Sequence, residues 1–263
     1  GDELIAGGYL QRFGLFFFFL PFILKKKLFY KISFQFIFFI IFLLGIALSG
    51  NRMPFVLFVF SFFVLVILNK ELRKYFLSFF IFTFLIFTLI YKLDHDEGRF
   101  KVSASTFYYS GKNLVNTFFI DDITKEPPEV WQRPYALEFF CFKHIWKKNP
   151  IFGGGVRSYR TAERGCNTHP HNYYFEILSD LGIVGFGIVV FFVFSMLHKM
   201  FIRKNTLFQF SLTNIDAKIM PFFLVFLVEF FPLRSSGSFF TTNNAAIIFI
   251  ILAALVSLIS ERK

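Results

Sequence analysis

The chain has 263 residues, 56% of them hydrophobic and 22% aromatic, with 47 phenylalanines. A water-soluble domain of this length needs far more polar surface, and the apolar residues come in long uncharged runs. The expected class is therefore all-α, a polytopic helical integral membrane protein built as one domain over 1–263. In a soluble protein the net charge of +11, from 28 Lys and Arg against 17 Asp and Glu, would suggest a nucleic-acid partner; in a membrane protein position outweighs the sum, and none is expected.

The chain opens at GDELIAGGYL, with no initiator Met and no signal peptide, and reads as the interior of a longer protein. Apolar segments follow at 10–24, 32–48, 54–68 and 75–91, and, after a long polar stretch, at 181–197, 218–233 and 245–260. Several fall short of the about 20 residues that cross a bilayer, so flanking residues must extend them. The connections sort by charge. KKKLFYK carries Lys25, Lys26, Lys27 and Lys31; NKELRK carries Lys70, Arg73 and Lys74; HKMFIRKN carries Lys199, Arg203 and Lys204; the chain ends in Arg262 and Lys263. The alternate connections, SGNRMP and RSSGSFFTTNN, offer Arg52 and Arg234. The strongly basic set is expected in the cytoplasm, which puts the loop 92–171 on the outer face with Arg52 and Arg234. A loop of that length is usually functional.

Within the loop, HDEGRFKVSAS is polar and irregular. RPYALEFFCFKHIWKKNP reads as an amphipathic helix, with Pro134 in its first turn and Asn149-Pro150 stopping it. Leu137, Phe140, Cys141, Ile145 and Trp146 are expected on the membrane surface, with Lys147 and Lys148 reaching headgroups. In IFGGGVRSYR three consecutive glycines let backbone approach a ligand closely, and Arg157 and Arg160 follow; the alternative is a flexible turn with solvated charges. Pro170 in THPHN favours a helix start, so His171 falls in or next to a first turn, where unpaired amides attract anions. Arg157, Arg160, His171 and that helix N-terminus together suit a phosphate.

His169 and His171 admit three readings: a metal pair, a structural or solvated pair, and a general base or anion ligand. No third metal ligand stands at a persuasive spacing, so neither a metal nor another cofactor is expected. Two cysteines, Cys141 and Cys166, are too few for a disulfide framework.

NPIFGGGVRSYR followed by THPHNYYFEILSDLGIVGF resembles the core signature of the O-antigen ligase and O-antigen polymerase superfamily. The matching residues are the turn Asn149 to Gly153, then His171-Asn172, then Asp180, Gly182 and Gly185. SGNRMP resembles that family's short outer loop with an arginine, while GDELIAGGYL and FPLRSSGSFFTTNNA resemble stretches of its polymerase-like branch. Family members usually carry more spans, which implies further spans ahead of this sequence. Some carry a cysteine after the Gly-Arg segment paired with one before the His-Pro-His; Cys166 is present here, but VRSYRTAERG holds no cysteine.

The resemblance implies transfer of a glycan from a polyprenyl pyrophosphate to a sugar hydroxyl, without a metal, at the outer face of the bacterial inner membrane. Such chemistry asks for cations at the leaving pyrophosphate and for a base that works near neutral pH. By resemblance His171 is that base, with His169 behind it or a bystander. Arg52 and one of Arg157 and Arg160 clamp the pyrophosphate, with Arg234 nearby. Glu229 stands in an apolar run, where an ionisable residue is usually functional; snorkelling, or pairing with Arg234, is the alternative. The expected partners are the polyprenyl pyrophosphate-linked glycan, the lipid bilayer, and a chain-length regulator or flippase. A repeat polymerase is favoured over a ligase that joins the glycan to lipid A core. A small-solute or inorganic-carbon transporter of the same superfamily is the third reading, and it should show broken helices or charges near mid-membrane.

Overall fold

The structure, a computed structural model, describes residues 6–23, 28–68, 70–94, 134–161, 170–201, 218–232, 234 and 237–260. Among these the regular elements are all helical. They are α1 (Ala6–Ile23), α2 (Leu28–Leu48), α3 (Arg52–Leu68), α4 (Lys70–Leu93), α5 (Pro134–Lys148), a 3-10 turn (Ser158–Thr161), α6 (Tyr173–Phe201), α7 (Met220–Glu229) and α8 (Thr242–Ser260). Each apolar segment expected from the sequence overlaps one of these helices; residues 24 and 233 of two of them lie outside the described residues. The amphipathic stretch is α5, which begins at Pro134 and ends ahead of Asn149-Pro150. Among the described residues one helix, Tyr173–Lys199 within α6, is long and apolar enough to cross a membrane, and the other apolar helices are shorter. HDEGRFKVSAS, His169, Cys166, Lys25, Lys26, Lys27, Arg203, Lys204, Arg262 and Lys263 lie outside the described residues, as do the side chains of Lys31, Arg52, Lys70, Arg73, Lys74 and Arg160.

The chain divides into two compact units: Gly1–Ser105 with His198–Glu229 and Ile250–Lys263, and Thr106–Leu197 with Phe230–Phe249. In the first unit α1 packs against α2, α3 and α7, and α3 also packs against α4. Phenylalanine fills the space between them. Phe18 of α1 and Phe39 of α2 approach Phe62 of α3 edge-on, with centroids 4.6 and 4.5 Å away, and Phe39 meets Phe79 of α4 at 5.1 Å. Edge-on ring pairs of this kind contribute about 0.5–1.5 kcal/mol each beyond the area they bury. Inside this unit Gln35 Nε2 donates across to the Phe18 carbonyl at 3.3 Å, whereas the buried side-chain amide of Gln11 has no hydrogen-bond partner among the described residues.

Glu229 is buried, and Arg12 of α1 holds it through a fork. Arg12 Nε donates to one carboxylate oxygen at 2.6 Å and Nη2 to the other at 3.0 Å. A bidentate fork offsets much of the cost of burying both charges, which is why an acid is tolerated at the end of so apolar a helix.

In the second unit the apolar face of α5 packs largely against protein, so the expectation that this whole face lies on a membrane surface is corrected, while Lys147 and Lys148 at its end stay exposed. Cys141, Phe142 and Tyr159 form a buried cluster, against which Leu137, Phe140, Ile145, Trp146, Phe175 and Leu178 pack. Phe142 stacks on Phe175 of α6 at 4.5 Å. The partner of this face is the first turns of α6, whose polar sequence hides them from a hydropathy reading. Cys141 is disulfide-bonded; two cysteines are too few for a framework but enough for a single bridge, and the sequence contains one other cysteine, Cys166.

Candidate functional site

The second unit is organised around a break in α6. Gly182 sits at φ 64°, ψ −167°, outside helical space, and divides a short N-terminal arm from the long apolar remainder. A break in a helix strands two amides and two carbonyls, and here the turn before Arg157 supplies all four partners. The amides of Ile183 and Val184 donate to the carbonyls of Pro150 and Ile151, at 3.0 and 3.1 Å. The carbonyls of Ser179 and Asp180 accept from the amides of Gly154 and Gly155, each at 2.9 Å. The approach is close enough that a Cβ on Gly153 would stand 2.4 Å from the Asp180 carbonyl carbon, and one on Gly182 would stand 2.3 Å from the Ile151 oxygen. The consecutive glycines therefore admit α6 to the turn. The close approach is made, at Gly153, to the backbone of α6.

Asp180, fully buried, anchors the chain beyond the glycines. Its carboxylate accepts from the Arg157 amide at 2.7 Å, the Ser158 hydroxyl at 2.8 Å and the Tyr159 amide at 3.4 Å, and so caps the 3-10 turn. Arg157 is held there at φ 71° with its side chain exposed. Tyr159 is buried and donates to the Glu138 carbonyl at 3.2 Å. Burial, reinforced by the nearby charge of Glu138, pushes its hydroxyl pKa well above the ordinary tyrosine value.

His171 precedes the arm. Its Nε2 lies 3.8 Å from an oxygen of buried Glu138, within ion-pair reach and beyond a direct hydrogen bond. Its φ is 41°. Arg157 and His171 are the non-glycine residues with positive φ among the described residues, and such backbone costs of order 1–3 kcal/mol and gathers at functional sites. Glu138 escapes a reading of the sequence because a lone acid on an amphipathic helix looks like part of its solvated face. Its place between Leu137 and Phe139, flush with the apolar stretch, is the available signal.

His171 stands next to the first turn of α6, as Pro170 suggests, but that turn is not an open anion site. Asn172 is the N-cap, its Oδ1 accepting from the amides of Tyr174 at 2.9 Å and Phe175 at 3.3 Å. Asn172 Nδ2 also donates to the Pro232 carbonyl at 2.8 Å, Tyr174 donates its hydroxyl to the Phe230 carbonyl, and buried Glu176 accepts from the Ser238 hydroxyl and the Phe239 amide. The arm thus holds the segment that carries buried Arg234 beside the chain next to His171. Arg157, His171 and Arg234 share this unit. Arg160 lies in the 3-10 turn and Arg52 opens α3 in the first unit, and only their backbones are described. Among the described residues no group of three or more His, Cys, Asp or Glu side chains is gathered for a metal ion. The break in α6 is a feature the transporter reading expects, yet the four groups it frees are taken by the turn.

Fold and site together define an all-helical protein in which one candidate membrane span carries, at its polar end, a strained arginine and a histidine–glutamate pair. The chain matches the family model described as O-antigen ligase over residues 37–190, more than half its length, and belongs to that O-antigen ligase and polymerase superfamily of glycosyltransferase-like membrane enzymes. Neither the curated proteins nor the solved structures compared with it gave a match.

Proposed function

We propose that the protein transfers a glycan from a polyprenyl pyrophosphate to a sugar hydroxyl at the outer face of the inner membrane, with His171 as general base. The observation that carries this reading is His171 beside buried Glu138, on a backbone held at positive φ. Glu138 orients the imidazole, and the imidazole takes the proton of the incoming hydroxyl. The hydroxyl oxygen then bonds to the anomeric carbon as the bond from that carbon to the pyrophosphate oxygen breaks. Arg157 or Arg160, with Arg234 nearby in the same unit, meets the charge that develops on the leaving group, where a planar, permanently charged fork is suited to phosphate. His169 supports His171 or stands by, and no metal is called for.

Outward-facing apolar rows support a polytopic membrane protein. Phe34, Ile37 and Ile41 of α2, Phe84 and Leu85 of α4, and Ile188, Phe191 and Phe194 of α6 are all exposed, a surface unfavourable in water. The disulfide at Cys141 supports an oxidising outer compartment for α5. Of the two acceptors we favour a repeat polymerase, on the resemblance of GDELIAGGYL and FPLRSSGSFFTTNNA to that branch. The test is His171→Ala in a strain lacking the native gene, with membrane levels checked by blot. Activity should fall ~10²–10⁴-fold. For a polymerase the glycan ladder collapses to single repeats; for a ligase the lipid A core loses its glycan altogether. A well-inserted His171→Ala protein with full activity removes His171 from the mechanism.

A further inference from the structure

We propose that the turn 149–156 is a wedge seated in the interfacial layer of the outer phospholipid leaflet. The proposal rests on α6 spanning a membrane. Ile151, Phe152 and Val156 are all exposed, and Phe152 is 75% exposed. Single exposed hydrophobes are ordinary, but these are held outward by a rigid turn. Asn149 N bonds to the Trp146 carbonyl and Gly153 N to the Asn149 carbonyl, at 3.2 and 2.9 Å, while the bonds to α6 prevent the tip from folding inward.

Continuity with the candidate span identifies the occupant. The carbonyl of Ile151 accepts from Val184, and exposed Ile183 and Val184 lead at helical spacing to exposed Ile188 and Phe191. The wedge therefore sits where the lipid-facing row of α6 begins. Its base has the composition of a bilayer interface. Half-buried Trp146 donates Nε1–H to the Pro150 carbonyl at 3.2 Å, and Lys147 and Lys148 are exposed at the end of α5. An amphipathic ring, lysines that reach headgroups and an apolar tip are what the boundary between headgroups and acyl chains selects. A three-residue tip rimmed by lysines is small for a stable interface between two copies of this chain.

The test uses the full chain in phospholipid vesicles, with Trp131→Phe and Trp146→Phe as background and a single reporter at Phe152→Trp or Phe191→Trp. Lipids brominated near the carbonyl end or near the chain end quench the reporter according to depth. Phe152→Trp should be quenched chiefly by the shallow bromines and Phe191→Trp chiefly by the deep ones. Quenching of Phe191→Trp without quenching of Phe152→Trp overturns the wedge and leaves the span standing. Absence of quenching at both positions overturns the span and the wedge together. Shielding of Phe152→Trp that disappears when the protein is diluted into excess lipid assigns the patch to a second copy and also overturns the wedge.

Discussion

One unit of this protein is filled by rings and the other is joined through backbone. In the first, Phe18, Phe39, Phe62 and Phe79 interlock between four helices, so the contacts depend on volume and shape. In the second, the carboxylate of Asp180 and the exchanged hydrogen bonds at Gly182 fix the chain, so the contacts depend on which atoms donate and accept. The first kind of packing tolerates substitutes of similar size; the second does not, even when the substitute has the same shape. The catalytic candidates with described side chains all belong to the second kind. Arg157, at positive φ, is held by the directed bond from its amide to Asp180.

The sharpest way to break this contrast is at Gly182. Gly182→Val puts a side chain against the Ile151 carbonyl at an unfavourable φ and should cost about 4 kcal/mol or more, read as a large fall in the unfolding midpoint in detergent. Gly187→Ala, in the same helix with nothing within 4 Å of the new atom, should leave the midpoint unchanged or slightly raised. Next come the isosteric changes. Asp180→Asn should cost about 2–3 kcal/mol, because a charged acceptor of three hydrogen bonds is replaced by a group that is half donor. Leu65→Met, a volume-conserving swap in the buried core of the first unit, should cost less than about 1.5 kcal/mol. The reverse order would erase the distinction between the units.

A finer probe is Glu138→Gln, which keeps the shape beside His171 and removes the charge. Turnover should fall, but by less than the ~10²–10⁴-fold expected for His171→Ala, with membrane abundance unchanged. Equal activity to the unsubstituted protein would make Glu138 a packing residue only. The smallest effect is at Tyr159. Tyr159→Phe removes one hydrogen bond and should cost about 1 kcal/mol at neutral pH. Because burial raises the tyrosine pKa in the folded state, its contribution is present below the ordinary value of about 10 and is lost as pH rises beyond it. Midpoints measured from pH 9 to 11 should therefore fall more steeply for the unsubstituted protein than for Tyr159→Phe.

Legibility in the sequence divides along the same line. The helices are legible, because apolar periodicity and the flanks of Pro134 and Asn149-Pro150 are local. The segment expected at 181–197 even begins at the break, since the chain turns apolar there, but the arm before it is too polar to stand out. Arg12 is easily passed over as a single charge inside an apolar run, and its partner lies at the far end of the sequence. The role of the glycines is hidden because two segments distant in sequence and without a shared period meet at Gly153 and Gly182. Resemblance groups His171 and His169 with Arg52, Arg157 or Arg160, and Arg234; of these His171, Arg157 and Arg234 lie in one unit, tied together through Asn172, Asp180 and Glu176, whose bonds no periodicity announces.

The exchange of hydrogen bonds at Gly182 has a kinetic consequence as well. Gly154, Gly155, Ile183 and Val184 lie in two stretches of chain, yet their amides are covered by one and the same joint. Deuterium can reach any of the four only when that joint parts. All four should therefore report one opening free energy once each rate is divided by that amide's intrinsic rate, set by a single opening event and not by fraying of either stretch.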